Sequence, residues 1–202
     1  MRTREPRRAR ALRGARLRPA DRRVDGRPVC ELADVFDPET ILEVLHRHRV
    51  EFVLIGGVAA AAHGSTLVTT DVDVTPSRDE ENLRRLAAAL RELGARIRTS
   101  DPQGVAFPID SAFLSAQPRM LNLVTVAGDL DLVFVPEGYE GGFEQLRDES
   151  VELEIVDGAS TRVATLRAIV RSKEASGRGK DRAALPYLRA LLEEIGEAGK
   201  EG

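Results

Sequence analysis

The stretch "FVLIGGVAAAAHGSTLVTTDVDVTP", residues 52–76, decides which fold the sequence predicts. It opens with an apolar run typical of a buried strand, and that run ends in the pair Gly56-Gly57. An alanine-rich segment, predicted as a short helix, follows. The last part alternates polar and apolar residues, as a strand with one buried face does, and places Asp71 and Asp73 on the same side of that strand. The stretch therefore predicts a strand, a glycine turn, a helix and a returning strand with paired carboxylates.

The two carboxylates need a physical reason to lie so close together. At a rise of ~3.3 Å per residue their Cα atoms would be about 6.5–7 Å apart, and the charges repel unless a proton or a cation intervenes. Magnesium suits this position because it prefers carboxylate oxygens together with substrate phosphates. A bare D-x-D pair is more often a solvated part of an edge strand. Here Gly56 and Gly57 favour function, since a glycine turn before a helix exposes N–H groups to phosphate.

A family resemblance follows from these residues. Gly56-Gly57, thirteen intervening residues and Asp71-Val72-Asp73-Val74 resemble the hG[GS]…DhDh signature of the DNA polymerase β-like nucleotidyltransferase superfamily. The resemblance implies magnesium-dependent transfer of NMP from a nucleoside triphosphate to an acceptor hydroxyl, with release of pyrophosphate. It implies two Mg²⁺ ions, with Mn²⁺ as an alternative, held by Asp71 and Asp73. Gly56 and Gly57 would seat the β- and γ-phosphates through their backbone amides.

The same resemblance implies a third metal-binding carboxylate on a later strand, in an h-[DE]-h context. Asp131 in Leu130-Asp131-Leu132 fits that description and would complete the catalytic set. Asp129 shares its face but falls at a predicted turn, and Asp110 lies in irregular sequence, so both are weaker candidates. A lone carboxylate on a half-exposed strand is the structural alternative for Asp131.

The C-terminal stretch "RSKEASGRGKDRAALPYL" is similar to the K…R…KD segment of bacterial nucleotidyltransferases of the abortive-infection (AbiEii-like) toxin type. This similarity implies that Lys173 contacts the triphosphate and that Lys180 with Asp181 completes the rim of the nucleotide site. A solvated helix–loop–helix is the alternative for this segment. Nearer the carboxylates, the hydroxyl of Ser65 could bond a phosphate oxygen.

The order of elements predicts an α/β (α+β) domain, the minimal nucleotidyltransferase fold, with a mixed sheet of about five strands, flanking helices and a short C-terminal helical part. We divide the chain into a disordered Arg-rich extension (1–36), a nucleotidyltransferase core (37–164) and a C-terminal helical segment packed on the core (165–196).

Short sequence patterns predict where two helices begin and where two hairpins turn. A capping box from Ser77 to Glu80 would start the helix that follows the D-x-D strand. Hairpin turns are predicted at 127–129 and at Asp157-Gly158. The last helix would begin near Asp181, which would leave Pro186 in its first turn, where the missing N–H matters little.

Composition excludes several classes of protein. No apolar run approaches the ~18 residues that a membrane span needs, so no membrane partner is expected. The single Cys30 excludes an internal disulfide framework and is compatible with the cytoplasm, where we place the protein. One cysteine and three histidines do not suit a Cys/His zinc site.

The net charge of −3 is the sum of a basic N-terminal segment and an acidic remainder of the chain. Residues 1–28 carry eleven arginines and three acidic residues, a net +8, so the rest of the chain carries −11. The basic segment could contact nucleic acid as a mobile arm. The simpler interpretation, which we favour, is a non-functional extension from a misassigned start, because no aromatic residues interleave with the arginines.

Two other functions compete with nucleotidyl transfer. A small glycosyltransferase could use D-x-D to bind a nucleotide-sugar through manganese, although the preceding glycine pair argues against it. A non-catalytic module could keep the nucleotide cleft to sense a ligand or bind a partner. The acceptor itself stays open between RNA such as tRNA, protein and a small molecule. An antitoxin protein would be a further partner if the toxin type applies.

Overall fold

The computed structural model describes residues 36–156 and 159–198, and within these ranges the chain forms one seven-stranded mixed sheet with seven helices. The strands are β1 (Phe52–Ile55), β2 (Asp71–Pro76), β3 (Arg96–Ile97), β4 (Met120–Thr125), β5 (Gly128–Val133), β6 (Ser150–Val156) and β7 (Ala159–Ala164). The helices are α1 (Pro38–Arg47), α2 (Gly56–Ala62), α3 (Glu80–Glu92), α4 (Ser111–Ser115), α5 (Gly142–Asp148), α6 (Leu166–Ser176) and α7 (Gly179–Ala198).

The predicted mixed α/β fold is confirmed, with seven strands in the described residues instead of about five. One of the strands beyond the expected number, β3, is only two residues long, too short to show a period in the sequence. The strands lie in the order β3-β4-β5-β2-β1-β7-β6. Strand β2 is antiparallel to β1 and parallel to β5, while β1 is parallel to β7. Residues far apart in the chain therefore meet at the centre of the sheet.

The alternation of β2 separates a core face from a polar face. Val72 and Val74 are fully buried in the hydrophobic core, and so are Leu130 and Leu132 of β5. Burying an aliphatic side chain of this size stabilises the fold by about 1.5–3 kcal/mol, so register slippage of β2 would be costly. The core therefore fixes which side chains of β2 and β5 point to the opposite face.

Two predicted helix starts are wrong. Helix α3 is capped by Asp79, whose carboxylate accepts hydrogen bonds from the backbone N–H groups of Glu81 and Asn82. The hydroxyl of Ser77 instead accepts from the N–H of Asp79, so the predicted box does not form. Helix α7 begins at Gly179, two residues earlier than predicted, which places Pro186 inside the helix.

The hairpin turn predicted at 127–129 is displaced by one residue. Thr125 pairs with Gly128, so the turn consists of Val126 and Ala127. Gly128 has a φ of 111° and already belongs to β5. Asp129 is therefore a strand residue rather than a turn residue, and it shares a sheet face with Asp131.

Two predictions fall outside the described residues: most of the Arg-rich segment 1–36 and the turn at Asp157-Gly158. Among the helices of the part of the chain described here, none combines the length and apolar character that a membrane crossing requires. Helix α6 packs against α2 and α7, so the C-terminal helices approach the strand-turn-helix segment of the opening stretch.

Candidate active site

A single cavity of about 900 Å³ brings together most of the predicted site residues. Its wall includes the glycine turn, the polar face of β2 and β5, and parts of α6 and α7. The predicted residues on this wall are Gly56, Gly57, Asp71, Asp73, Asp131, Lys173, Lys180 and Asp181. They come from three separate segments of the chain, and the sheet order is what assembles them.

Asp71, Asp73 and Asp131 form an acidic cluster at the centre of the cavity. Each offers one carboxylate oxygen, and these oxygens all lie within 4.8 Å of one another. The cluster follows from strand register, because Asp73 of β2 is the partner of Asp131 in the parallel strand β5. Burial, and then the charges of Asp71 and Asp131, raise the pKa of Asp73 to about 7. The cluster thus holds more negative charge than its surroundings stabilise.

Two side chains that the sequence did not single out hold Asp131 in place. The guanidinium of Arg98 donates to both carboxylate oxygens, at 2.8 and 3.0 Å, and Asn122 donates to one of them at 2.7 Å. Arg98 also donates to Asp129 at 2.5 Å. Burial is the largest influence and raises the pKa of Asp131 above its usual value, although Arg98 and Asn122 lower it. Asp131 is 6% exposed, so these bonds offset only part of the cost of its desolvation.

The glycine pair allows the start of α2 to approach the carboxylates. Gly56 has a φ of 67°, and a Cβ there would lie 2.0 Å from Oδ2 of Asp73. A Cβ on Gly57 would lie 2.4 Å from Oγ1 of Thr69, which in turn donates to Oδ1 of Asp71 at 2.9 Å. Only glycine fits at either position, so both glycines are needed to seat the turn against the acidic cluster.

A cationic cluster lies on the part of the wall formed by α6 and α7. Asp181 is buried, and its carboxylate accepts from Lys173 at 2.8 Å, from Arg178 at 2.7 Å and from Ser176 at 2.5 Å. Burial alone would raise the pKa of Asp181, but these hydrogen bonds prevail and lower it to about 2. The positive charges of Lys180 and Lys173 partly oppose the rise in the pKa of Asp73.

Other candidates take different positions. Ser65 is buried and is not among the residues that line the cavity; its hydroxyl accepts from the N–H of Leu67 at 3.2 Å. Asp110 caps α4 by accepting from the N–H of Phe113. Asn122 could have been recognised from the sequence, because it is the one polar residue in the otherwise apolar "LNLV" of β4. No sequence pattern points to Arg98, because its partners Asp129 and Asp131 are more than thirty residues away along the chain.

The donor set of the acidic cluster suits a hard divalent cation. All three ligand candidates are carboxylates, which Mg²⁺ and Mn²⁺ prefer, and one further acidic side chain, Asp129, lies in register with Asp71. Burial, and then repulsion from Asp71 and Asp131, raises the pKa of Asp73, and a bound cation would oppose both effects by stabilising the charged carboxylate. These residues therefore fit a divalent metal.

Comparisons with known proteins place the fold. No family model matches the sequence, and no curated protein matches it. The solved structure of the lincosamide antibiotic adenylyltransferase LnuA, bound to lincomycin, matches with a TM-score of 0.51 at 17% identity, over 78% of this chain and 98% of that one. The antibiotic-resistance factor ANT(2'')-Ia aligns at 14% identity over 82% of this chain and 96% of that one, with a TM-score of 0.42. The first likeness shows that this chain has the nucleotidyltransferase fold.

Proposed function

We propose that this protein transfers a nucleoside monophosphate from a nucleoside triphosphate to an acceptor hydroxyl and releases pyrophosphate. The observation that carries the proposal is the meeting of Asp71, Asp73 and Asp131 in one cavity with the Gly56-Gly57 turn. Two-metal carboxylate sites beside a phosphate-binding turn suit phosphoryl chemistry, because that chemistry depends on positioning and charge neutralisation.

The three aspartates would hold two divalent cations, Mg²⁺ or Mn²⁺. Cations bound there would supply Lewis acidity for the attacking hydroxyl and the departing pyrophosphate. The protein's own residues do the rest. The backbone N–H groups of Gly56 and Gly57 would hold the β- and γ-phosphates, and Lys173 and Lys180 would balance the negative charge of the triphosphate.

Asp131 would have a second role, to orient the acceptor hydroxyl. It lies on β5, and the sheet order places β5 between β2 and β4, on the far side of β2 from β1 and β7. In this proposal the triphosphate would lie on the side of the cavity formed by α2, α6 and α7. An acceptor would therefore approach over β4 and β5. Three apolar side chains line the wall there beside charged and polar ones: Met120, Val133 and Val135 beside Arg98, Arg119, Asn122 and Glu137.

The acceptor decides between the toxin-type function and the modification of a small molecule. LnuA is named as acting on a lincosamide antibiotic and was solved with lincomycin bound. The mixture of apolar side chains with the polar and charged groups beside them suits a compact acceptor that has both an apolar body and polar groups. We therefore place a small hydroxylated molecule first among the acceptors, ahead of RNA and of protein, the two acceptors of a toxin-like enzyme that an antitoxin would neutralise.

The test is transfer of label. The protein is incubated with Mg²⁺ and each α-labelled NTP, and separately with RNA, with total cell protein and with a panel of hydroxylated small molecules that includes lincosamides. We expect label on one acceptor class, equimolar pyrophosphate and loss of both in Asp73→Asn. Binding of NTP without transfer to any acceptor would instead indicate a non-catalytic module. Metal-dependent binding of UDP-sugar without NTP binding would indicate the glycosyltransferase.

A further inference from the structure

Arg98 and Asn122 together occupy most of the hydrogen-bonding positions of Asp131. The two oxygens of a carboxylate offer about four lone-pair positions. Three of those on Asp131 already accept hydrogen bonds, two from Arg98 and one from Asn122. A cation that used Asp131 as a ligand would compete with Arg98 for the same oxygens and would meet its positive charge at close range.

The position of Arg98 allows it to leave without a change of fold. It follows the last residue of β3, and its backbone N–H donates to the carbonyl of Asn122, so the main chain stays anchored to the sheet when the side chain moves. The side chain is 30% exposed and lines the cavity. Its second partner, Asp129, is 36% exposed and can retain the guanidinium after Asp131 is released.

We propose that Arg98 is a counter-cation built into the site: it neutralises Asp131 while no metal is bound and moves onto Asp129 when a divalent cation takes Asp131. The inference rests on the proposed function only in so far as both require a metal at the acidic cluster. Arg98 is thus a positioning residue that sets the affinity for metal. Asp129, which is not one of the three metal-ligand candidates, holds the displaced guanidinium.

The proposal has a direct consequence for metal affinity. An opposite charge within ~4–6 Å shifts the proton affinity of a carboxylate by about tenfold or more, and a divalent cation should feel at least that effect. Removing the charge in Arg98→Gln should therefore strengthen binding of Mn²⁺ about tenfold in the absence of nucleotide. Arg98→Lys keeps the charge but cannot span both oxygens of Asp131 and Asp129, so its affinity should lie between the two.

The experiment measures Mn²⁺ binding alone, by titration calorimetry or by the signal of free Mn²⁺ in electron paramagnetic resonance. The matched control is Arg119→Gln, because Arg119 also lines the cavity but pairs with Glu137 and Glu140 at 3.3 and 3.4 Å. Arg119→Gln should bind Mn²⁺ as the wild type does. Thermal unfolding in EDTA checks that each variant is folded, and Mn²⁺ should raise the melting temperature of Arg98→Gln more than that of the wild type.

The outcomes separate this inference from the proposed function. Equal Mn²⁺ affinity in the wild type and Arg98→Gln, or weaker binding in the variant, would show that Arg98 remains on Asp131, and would overturn this inference alone. An equal gain in Arg119→Gln would show a general charge effect and would overturn it too. No Mn²⁺ binding to any of the proteins would remove the metal centre, and the proposed function with it. If Arg98→Gln does not fold, Arg98→Lys decides, since unchanged affinity in that variant counts against the proposal.

Discussion

Asp73 on β2 and Asp131 on β5 are register partners in two parallel strands, and both carboxylates face the same cavity. Because the strands are hydrogen-bonded neighbours, the separation of the two carboxylates is fixed by the sheet and not by a mobile loop.

Asp73→Asn should separate activity from stability. The change keeps the size of the side chain but removes a metal ligand, so we expect pyrophosphate release to fall by at least about a thousandfold, the scale on which charge-stabilising groups act. Removing a buried charge that Asp71 and Asp131 repel should leave the melting temperature equal to or above that of the wild type. Asp148→Asn, at an exposed position on α5, is the control and should change neither quantity. Turnover at the wild-type rate in Asp73→Asn would refute the assignment.

The metal-free protein should lose stability as the pH rises from about 4 to about 7. The pKa of Asp73 is raised from 3.8 to about 7, so in this range the folded state keeps a proton that the unfolded chain has released. The free energy of unfolding therefore decreases with pH across this window. Unfolding with urea in EDTA at several pH values measures it, and Asp73→Asn should show a shallower decrease. The same slope in both proteins would contradict the raised pKa.

Gly57→Ala, in the glycine turn, should lower both the stability of the protein and its affinity for Mn²⁺. The new Cβ would lie 2.4 Å from Oγ1 of Thr69, and displacing Thr69 breaks its hydrogen bond to Asp71. We expect a loss of about 1–3 kcal/mol in the free energy of unfolding, together with a lower affinity for Mn²⁺. Gly196→Ala on α7 is the control, since a Cβ there meets nothing within 4 Å and alanine should be neutral or slightly stabilising. Wild-type metal affinity in Gly57→Ala would show that the turn does not position Asp71.

Asp181→Asn should loosen the cationic cluster. The carboxylate accepts from Lys173, Arg178 and Ser176, and replacing it weakens all three bonds, at a cost of about 1.5–3 kcal/mol for a hydrogen bond to a charged group. Since the pKa of Asp181 is lowered to about 2, its contribution is present above about pH 4 and is lost as the pH falls through about 2. The KM for NTP should rise more than kcat falls, because Lys173 loses its anchor. Kinetics in which kcat falls at constant KM would contradict this role.

How far the sequence predicts this molecule depends on the range of each interaction. Asp71 and Asp73 share a face because of a period of two residues, which is visible in the sequence, and the glycine pair is equally local. The fold class follows from the order of such elements, as the likeness to LnuA shows. The pairing of Arg98 with Asp131 has no local pattern, because it depends on β3 and β5 lying on either side of β4.

The wrong predictions have a related cause. Ser77 and Asp79 are both competent caps, and only the surrounding structure decides between them: the side-chain amide of Asn82 donates to the carbonyls of Glu51 and Ser77. These hydrogen bonds hold Ser77 close to Glu51, the residue before β1, and Asp79 is then the residue that caps α3. A one-dimensional motif search cannot weigh a contact with a residue thirty positions away.

The parallel pairing of β1 with β7 has a consequence for biosynthesis. While the ribosome has completed only the first 150 residues or so, β1 has its neighbour β2 but one of its edges is still without a partner. An unpaired edge on an apolar strand invites association with other chains. The nascent protein thus passes through a vulnerable stage until about residue 164 emerges, and chaperone binding or aggregation of truncated products should concentrate on lengths just short of that point.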